Sequence, residues 1–213
     1  MNKLALTAAA LCALAAPAAY LAAQDVAVPG VADASRVTAG TYAVDPNHTL
    51  VQWQVDHLGF NPYFGLFGDA EGSLTIDPQA LDQAEVDISL PISSLTVVSK
   101  GLRDHMTRPG KDGGAPDFFG ADAGMARFVS SKVTPTGTQQ AIIEGTLTMN
   151  GKSAPVVLAA RFTGAGSNPM SKVETIGFSA QTTIRRSQWG IGYGIPMVSD
   201  DVALTITAAF EKQ

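Results

Sequence analysis

The sequence predicts an all-β domain of eight antiparallel strands that closes into a barrel. Eight segments alternate apolar and polar residues, which is typical of strands with one buried face. Asn150-Gly151 separates two of these segments and favours the positive φ angles of a type I′ hairpin turn. Closure into a barrel is favoured over an open sandwich because it leaves no exposed strand edge.

The strand segments follow one another along most of the chain. Val51, Trp53, Val55 and His57 lie on one face of the first segment, with glutamine and aspartate on the other. The segments are LVQWQVDH (50–57), FGDAEGSLTI (67–76), AEVDISLPI (84–92), ARFVSSKV (126–133), QAIIEGTLTM (140–149), APVVLAARFT (154–163), VETIGFSAQTTI (173–184) and DVALTITAAF (201–210). Residues 58–66 and 99–125 lack the strand pattern. The second stretch is expected to begin with a short helix and to break into a Gly-rich loop at Pro109-Gly110.

The first residues have the layout of a secretory signal peptide. Lys3 is followed by an unbroken apolar run and then by small residues. We therefore expect a signal peptide at 1–23, a flexible linker rich in Ala, Gly, Pro and Ser at 24–40, and the barrel domain at 41–213. An uncleaved membrane anchor is the alternative interpretation of the apolar run.

Composition argues against several classes of function. With 14 basic and 19 acidic residues the chain is mildly acidic, and no basic cluster interleaved with aromatics indicates a nucleic-acid partner. The single cysteine, Cys12, lies in the leader, so the mature chain has no disulfide, thiol nucleophile or zinc–thiolate site. No Gly-x-Ser-x-Gly motif occurs, and GIGYG (190–194) is not a dinucleotide-binding motif. We expect no catalytic residue, cofactor or metal.

The three histidines are the candidates for a metal site or a catalytic site. His48 and His57 are nine residues apart, so one regular strand would place them on opposite faces, and His105 belongs to another element. A metal-dependent or hydrolytic enzyme that uses His48, His57 and His105 stays as the alternative hypothesis. We interpret His48 as a turn residue after Asp45-Pro46-Asn47. His57 is the polar end of an apolar stripe or a contact to the head group of a ligand.

Aromatic residues concentrate at the junctions between strands. Phe60, Phe64 and Phe67 lie within eight positions that also contain several turn-forming residues, which predicts a bent, partly helical flap over one end of the barrel. Phe118, Phe119 and Trp189 lie at other junctions. We expect these aromatics to line an apolar tunnel and its ends, and the alternative is that they complete a filled core. An eight-stranded barrel is wide enough for either.

Six motifs occur in order between about Thr41 and Phe210. TYAVDPNHTLVQWQVDHLG contains a Tyr-x-x-Asp-x-x-His-Thr opening and a later His-x-Gly, and FGDAEGSLTIDP ends in Asp-Pro. RDHM and PDFF follow, and then ARFVSSKV, IEGTLTMNGKSAPVVL, and IRRSQWGIGY with VSDDVALTITAAF. In this order the motifs resemble the YceI-like family over nearly all of the mature chain.

The resemblance implies an extended eight-stranded antiparallel, lipocalin-like β-barrel with short helical segments, located in the periplasm. Its apolar tunnel is expected to hold a long isoprenoid chain, such as a polyprenyl phosphate or a quinone tail. TRPGKDGGA (107–115) is a departure, because the family runs almost directly from His-Leu-Arg to Asp-Phe-Phe. This insertion is expected to alter the tunnel mouth if it forms part of it.

The leading hypothesis is a protein that carries or sequesters an isoprenoid lipid without covalent chemistry. The expected ligand-binding residues are Val51, Trp53, Val55, His57, Phe60, Phe64, Phe67, Phe118, Phe119 and Trp189. Arg103, Arg185 and Arg186 are further candidates for contacting a phosphate or quinone oxygen. Besides the lipid, the partners considered are a transient contact with a membrane or membrane protein and a second copy of the chain in a homodimer.

Overall fold

The computed structural model describes residues 27–213, so the predicted signal peptide at 1–23 lies outside the described residues. The strands are β1 (Gly40–Val44), β2 (Leu50–His57), β3 (Asn61–Phe67), β4 (Glu71–Ile76), β5 (Glu85–Pro91), β6 (Met125–Pro135), β7 (Gln140–Met149), β8 (Lys152–Ser167), β9 (Glu174–Arg185) and β10 (Asp201–Lys212), and the helix is α1 (Lys100–Thr107). Short 3₁₀ turns span Ala34–Arg36, Leu81–Gln83, Ile92–Ser94, Lys111–Gly113 and Arg186–Trp189. No helix within residues 27–213 combines the length and the apolar character needed to cross a bilayer.

The strands close into an eight-stranded antiparallel barrel, as predicted. One edge of β10 pairs with β9, and its other edge pairs first with β2 and then with β1. β1 and β2 therefore form two halves of one barrel strand. β3 and β4 form two halves of the next, because β3 pairs with β2 and β4 pairs with β1. The remaining order, β4-β5-β6-β7-β8-β9-β10, completes the ring.

The break between β1 and β2 is held by hydrogen bonds from the side chains of Thr49 and Asp45. The hydroxyl of Thr49 donates to the carbonyl of Ala209 and accepts from its N–H, at 3.3 and 3.1 Å, so the side chain replaces a missing rung of the ladder. The carboxylate of Asp45 accepts from the N–H of Asn47 at 2.9 Å and contacts Nδ1 of His48 at 2.5 Å. His48 therefore stabilises the turn through Asp45, in agreement with its interpretation as a turn residue.

Residues 58–66 were expected to form a bent flap, and this prediction is wrong. The stretch forms a turn followed by β3, which pairs with β2 in a register that sets Val55 opposite Tyr63 and Trp53 opposite Gly65. Leu58 and Gly59 reverse the chain with φ values of 61° and 70°. Pro62, which has no N–H to donate, is tolerated near the free end of a strand that pairs fully only on its β2 side.

Other local predictions are confirmed. Asn150 and Gly151 connect β7 to β8 with φ values of 50° and 68°, which matches the positive φ angles that a type I′ turn requires. A short helix opens the 99–125 stretch, and its N-terminus is capped because the Ser99 hydroxyl accepts from the N–H of Leu102 at 3.2 Å. After α1 the chain continues into the Gly-rich loop.

The described part of the predicted linker, residues 27–39, lies against the barrel wall. Val31 exchanges backbone hydrogen bonds of 3.1 and 2.9 Å with Ala165 of β8. The N–H and hydroxyl of Thr38 donate to Glu174 at 2.8 and 2.7 Å. β1 begins at Gly40, one residue before the predicted start of the domain.

The barrel has two different ends, which follow from the strand directions. The mouth end carries the β2–β3 turn, residues 92–124, the β7–β8 turn and residues 186–200. The far end carries the β4–β5, β6–β7 and β8–β9 connections. Two separate clusters of buried apolar side chains correspond to these ends, one around Trp53 and Trp189 and the other around Tyr42 and Ile176. The space between the walls is the candidate site.

Candidate functional site

The barrel interior is hollow and consists of two connected chambers. The upper chamber, at the mouth end, has a volume of about 540 Å³, and the lower chamber, at the far end, has a volume of about 230 Å³. Seven residues line both chambers and form the neck between them. They are Val51, Leu90, Ala126, Phe128, Leu147, Leu158 and Ile206. Because both chambers share these walls, they adjoin end to end along the apolar interior of the barrel.

Each chamber reaches the surface at its own end of the barrel. The lining of the upper chamber includes His57, Ser99 and Tyr193, which are also exposed to solvent. The lining of the lower chamber includes exposed residues of the Leu81–Gln83 turn and of the β6–β7 connection at 137–140. The cavity is therefore bordered by exposed residues at both ends of the barrel.

Two glycines let large rings lie flat against the wall instead of filling the tunnel. A Cβ at Gly65 would lie 2.6 Å from Cζ2 of Trp53, and a Cβ at Gly145 would overlap the ring of Phe128. The Nε1 of Trp53 is covered and has no hydrogen-bond partner among the described residues, so the indole presents apolar surface to the chamber. These close approaches preserve a passage where ordinary side chains would close it.

One wall of the upper chamber comes from the segment between β5 and β6. At this end β3 and β5 separate, and the gap is bridged by a single pairing of Leu66 with Thr96 and then by α1. The carbonyl of Met106 near the end of α1 accepts from the N–H groups of Phe119 and Gly120, at 3.0 and 3.3 Å. This pair of bonds turns the chain so that Phe118 and Phe119 face the chamber.

Arg186 is a buried cation in the upper chamber wall. The residue is 5% exposed, and its guanidinium donates to the carbonyls of Ser199, Ile191, Tyr193 and Val198 at 2.8, 3.0, 2.9 and 2.9 Å. Burial lowers the pKa of Arg186, and the nearby carboxylate of Asp200 acts in the opposite direction. The four acceptors all belong to residues 191–199, so this side chain fixes the loop at the mouth.

A second polar cluster borders the mouth on the side of α1. Nε2 of His105 lies 2.7 Å from Oδ2 of Asp117, and the same oxygen accepts from Arg108 at 2.9 Å. These hydrogen bonds from His105 and then Arg108 lower the pKa of Asp117. The ring of His105 packs edge-on against Phe118 and Tyr193, with centroids 5.1 and 4.9 Å apart. The polar atoms of this cluster are thus engaged with one another.

Seven of the predicted ligand-binding residues line the upper chamber. They are Val51, Trp53, Val55, His57, Phe67, Phe118 and Phe119. The first four share one face of β2, as the alternation predicted. Phe67 and Phe119 meet edge-to-face with centroids 5.9 Å apart, which joins β3 to the loop after α1.

Three predicted residues do not line the cavity. Phe60 lies at the tip of the β2–β3 turn and is 85% exposed. Phe64 pairs with Gln54, so it points to the outer face of β3 and is 58% exposed. Trp189 is buried in the core behind the chamber wall, and its Nε1 donates to the carbonyl of Leu147 at 3.0 Å. Their aromatic character suggested a lining role that strand alternation and packing exclude.

The lining also contains residues that were not proposed. Tyr63 faces inward because it alternates with Phe64 on β3, but this strand was not recognised. Phe128, Leu158 and Leu204 lie on recognised strands, and extending the inward stripe to those strands would have found them. Tyr193 lies in a loop, where no local pattern indicates which way a side chain points.

The remaining charged candidates occupy separate places. Arg103 and Arg185 are exposed, and neither lines a chamber, whereas Arg186 does. His48 contacts Asp45, His105 contacts Asp117, and the imidazole of His57 has no hydrogen-bond partner among residues 27–213. Within that part of the chain, no three His, Cys, Asp or Glu residues are placed to hold a metal ion. The histidines do not converge on one point.

The 107–115 insertion lies outside the tunnel. None of its residues lines either chamber, and residues 111–115 are exposed. The insertion folds back on itself, since the N–H of Gly114 donates to the carbonyl of Lys111 at 2.8 Å. It is tied to the mouth by the ion pair of Arg108 with Asp117.

The role of Arg186 can be tested by comparing the stability of variants at Arg186 and at its exposed neighbour Arg185. We predict that Arg186→Ala lowers the free energy of unfolding by about 3 kcal/mol, because several buried carbonyls lose their donor. Arg185, whose side chain is 72% exposed and 3.5 Å from Asp201, is the matched control. Arg185→Ala should change stability by less than about 1 kcal/mol, as is usual for exposed ion pairs. Urea denaturation followed by tryptophan fluorescence measures both, and equal effects would contradict the assignment.

Comparison with known proteins agrees with this architecture. The YceI-like domain profile matches residues 42–210. A UPF0312 protein of Pseudomonas putida (strain GB-1) is 31% identical over 183 residues, which cover 84% of this chain and 91% of the relative. The crystal structure of BcnA from Burkholderia cenocepacia superposes with a TM-score of 0.65 and 23% identity, covering 78% of this chain and 98% of BcnA.

A third protein shares the fold at lower similarity. It is a polyisoprenoid-binding domain from Saccharophagus degradans that is implicated in plant cell wall breakdown. Its TM-score is 0.53 and its identity 12%, covering 81% of this chain and 98% of the domain. The two solved structures show the same fold, and the profile match spans nearly the whole barrel. The chain therefore belongs to the YceI-like family.

Proposed function

We propose that this protein binds a long-chain isoprenoid lipid, of the polyprenyl phosphate or quinone type, in its two-chamber tunnel. It carries or sequesters the lipid in the periplasm and performs no covalent chemistry on it. The observation that carries the proposal is the elongated apolar cavity of about 540 and 230 Å³ with a neck of aliphatic and aromatic side chains. The Saccharophagus domain with the same fold is described as polyisoprenoid-binding, which supports this ligand class.

The shape of the tunnel favours a flexible apolar chain over a compact ligand. Two chambers joined by a neck suit a molecule that is long, narrow and free to bend. Burying roughly 400 Å² of apolar chain at about 25 cal/mol per Å² contributes on the order of 10 kcal/mol. This burial free energy offsets the free-energy cost of immobilising a ligand. A few contacts to the head group are then sufficient for stable binding.

The polar head of the ligand is proposed to lie at the mouth, with the chain directed through the neck. The imidazole of His57 and the hydroxyl of Tyr193 lie there, and neither has a hydrogen-bond partner among residues 27–213. Two polar groups deeper in the tunnel are already engaged, and the unpartnered Nε1 of Trp53 is covered by neighbouring atoms. Arg186 is bonded to loop carbonyls, and the hydroxyl of Thr49 is bonded to Ala209.

The direct test is to identify what the purified protein contains. We expect organic extraction and mass spectrometry to find a prenyl lipid that carries an oxygen-containing head group. Protein stripped of lipid should take up added polyprenol, followed as quenching of Trp53 fluorescence. A protein that is purified empty and also fails to take up polyprenol would contradict the proposal.

His57 is proposed to contact the head group. His57→Leu should weaken binding of farnesyl phosphate roughly 10- to 100-fold, the loss expected for one hydrogen bond to a charged oxygen. Binding of squalene, which has no head group, should be unchanged. His48→Leu is the matched control, because that side chain is 72% exposed and contacts Asp45 away from the tunnel. Equal losses for farnesyl phosphate and squalene would assign His57 to the apolar wall.

The neck should act as a filter for chain length. Ala126 lines both chambers, so Ala126→Phe places a ring in the passage between them. We expect solanesol, a long polyprenol, to lose at least tenfold in affinity, while farnesol still fits in the upper chamber. The control Ala203→Phe puts the same ring on the exposed face of β10 and should change neither affinity. If Ala126→Phe still binds solanesol normally, the long chain does not pass through the neck.

A further inference from the structure

The mouth end of the barrel carries an exposed apolar surface. Leu58 and Phe60 on the β2–β3 turn, with Tyr193, Ile195 and Met197 on the neighbouring loop, are all more than a third exposed. Phe60 is 85% and Met197 61% exposed. We call these five residues the mouth patch. Single exposed apolar residues are ordinary, but a contiguous group of large ones marks a surface of interaction.

The two segments of the mouth patch form one surface. The N–H of Leu58 donates to the carbonyl of Met197 at 2.7 Å, and His57 pairs with Val198. Tyr193 packs against His105 and Phe118 at the rim of the upper chamber. The patch thus surrounds part of the opening through which a ligand enters. Phe64, on the outer face of β3, extends the same apolar side.

Backbone groups in and around the mouth patch form internal hydrogen bonds, which suit an apolar environment. The N–H of Phe60 donates to His57 at 3.1 Å, and the N–H of Gly59 donates to the carboxylate of Asp56 at 2.9 Å. The carbonyls of Tyr193 and Val198 accept from Arg186. Polar backbone groups are costly in the hydrocarbon region unless they are bonded internally. Here several of these bonds are already present, which lowers the cost of insertion.

Charge is distributed so that the mouth end can approach an anionic surface. Across the mouth-end segments 56–62, 91–125, 149–153 and 185–201, seven basic side chains balance seven acidic ones. The rest of the described chain carries six basic and eleven acidic side chains. The net negative charge therefore lies on the body and far end of the barrel. An anionic bilayer would repel those parts and leave the mouth end as the favoured face.

We propose that the mouth patch docks on the surface of an anionic phospholipid bilayer, with the β2–β3 turn and the 193–197 loop inserted at the level of the head groups. This inference rests on the proposed lipid ligand, because docking at the mouth lets an isoprenoid pass between membrane and tunnel without crossing water. The occupant is a lipid surface. The position of the patch around the tunnel opening favours it over a second copy of the chain, which would cover the entrance.

The test compares vesicle binding of variants that share one N-terminus, so that any difference reports the substituted residues. The wild-type chain should float with vesicles of phosphatidylethanolamine and phosphatidylglycerol. Phe60→Ser combined with Met197→Ser should reduce partitioning at least tenfold, because two large apolar side chains no longer insert. Met170→Ser is the matched control, since Met170 is 90% exposed at the far end. It should partition like the wild type.

Farnesol uptake in solution separates this proposal from the proposed function. Neither Phe60 nor Met197 lines the tunnel, so the double variant should take up farnesol normally. Normal uptake with lost vesicle binding supports docking. Equal partitioning of the double variant and the wild type would overturn docking and leave the ligand proposal standing.

The oligomeric state gives a further outcome. If the wild type is a dimer and the double variant is a monomer, with equal vesicle binding, docking is overturned and the patch is assigned to a second copy. If the wild-type protein neither binds vesicles nor takes up farnesol, both proposals are overturned.

Discussion

The shared edge of β10 is the constraint on which the rest of the structure depends. A single strand must pair with β2 along one stretch and with β1 along the next, and only this double pairing closes the ring. The chain between β1 and β2 must therefore bend without leaving the wall. Thr49 satisfies that requirement by bonding both polar backbone groups of Ala209. Closure then removes most of the free edges that would otherwise favour aggregation, and the outer edge of β3 is covered by the Leu66–Thr96 pairing and α1.

Closure alone does not make a binding protein, because an eight-stranded barrel can equally be filled by side chains. Here the interior stays open because several inward-facing residues are small. Small inward residues such as Ala126, Ala160 and Ala208 leave space along the walls. Gly65 and Gly145 allow the rings of Trp53 and Phe128 to lie flat. The tunnel results from these local choices of side-chain size on an otherwise ordinary barrel wall.

The sequence predicted most of the fold, because a strand with one buried face repeats every second residue. The same rule placed Val51, Trp53 and Val55 correctly on the tunnel wall. It failed for β3, where Asn61-Pro62 and Gly65 resemble turn residues although the strand is stabilised by pairing with β2. The aromatic character of Phe60 and Phe64 predicts a lining role, whereas the direction of their side chains is set by the turn and by strand alternation.

Other features depend on contacts between distant residues, which local patterns do not reveal. The burial of Arg186 is one, since its four acceptors lie in a loop that only the folded barrel brings around it. The position of Tyr193 is another. Whether inward side chains meet at the centre or leave a passage also depends on all the strands at once. The resemblance to a family supplied that expectation before the structure could.

The far opening of the tunnel has a consequence for the kinetics of binding. A barrel sealed at the bottom would behave like a closed tube, in which an entering chain must force the displaced water back past itself. In this protein, exposed residues of the Leu81–Gln83 turn and of 137–140 line the lower chamber, so water has a second route out at that end. Loading of the proposed lipid would then be a one-way displacement, with the chain advancing from one end while water leaves from the other.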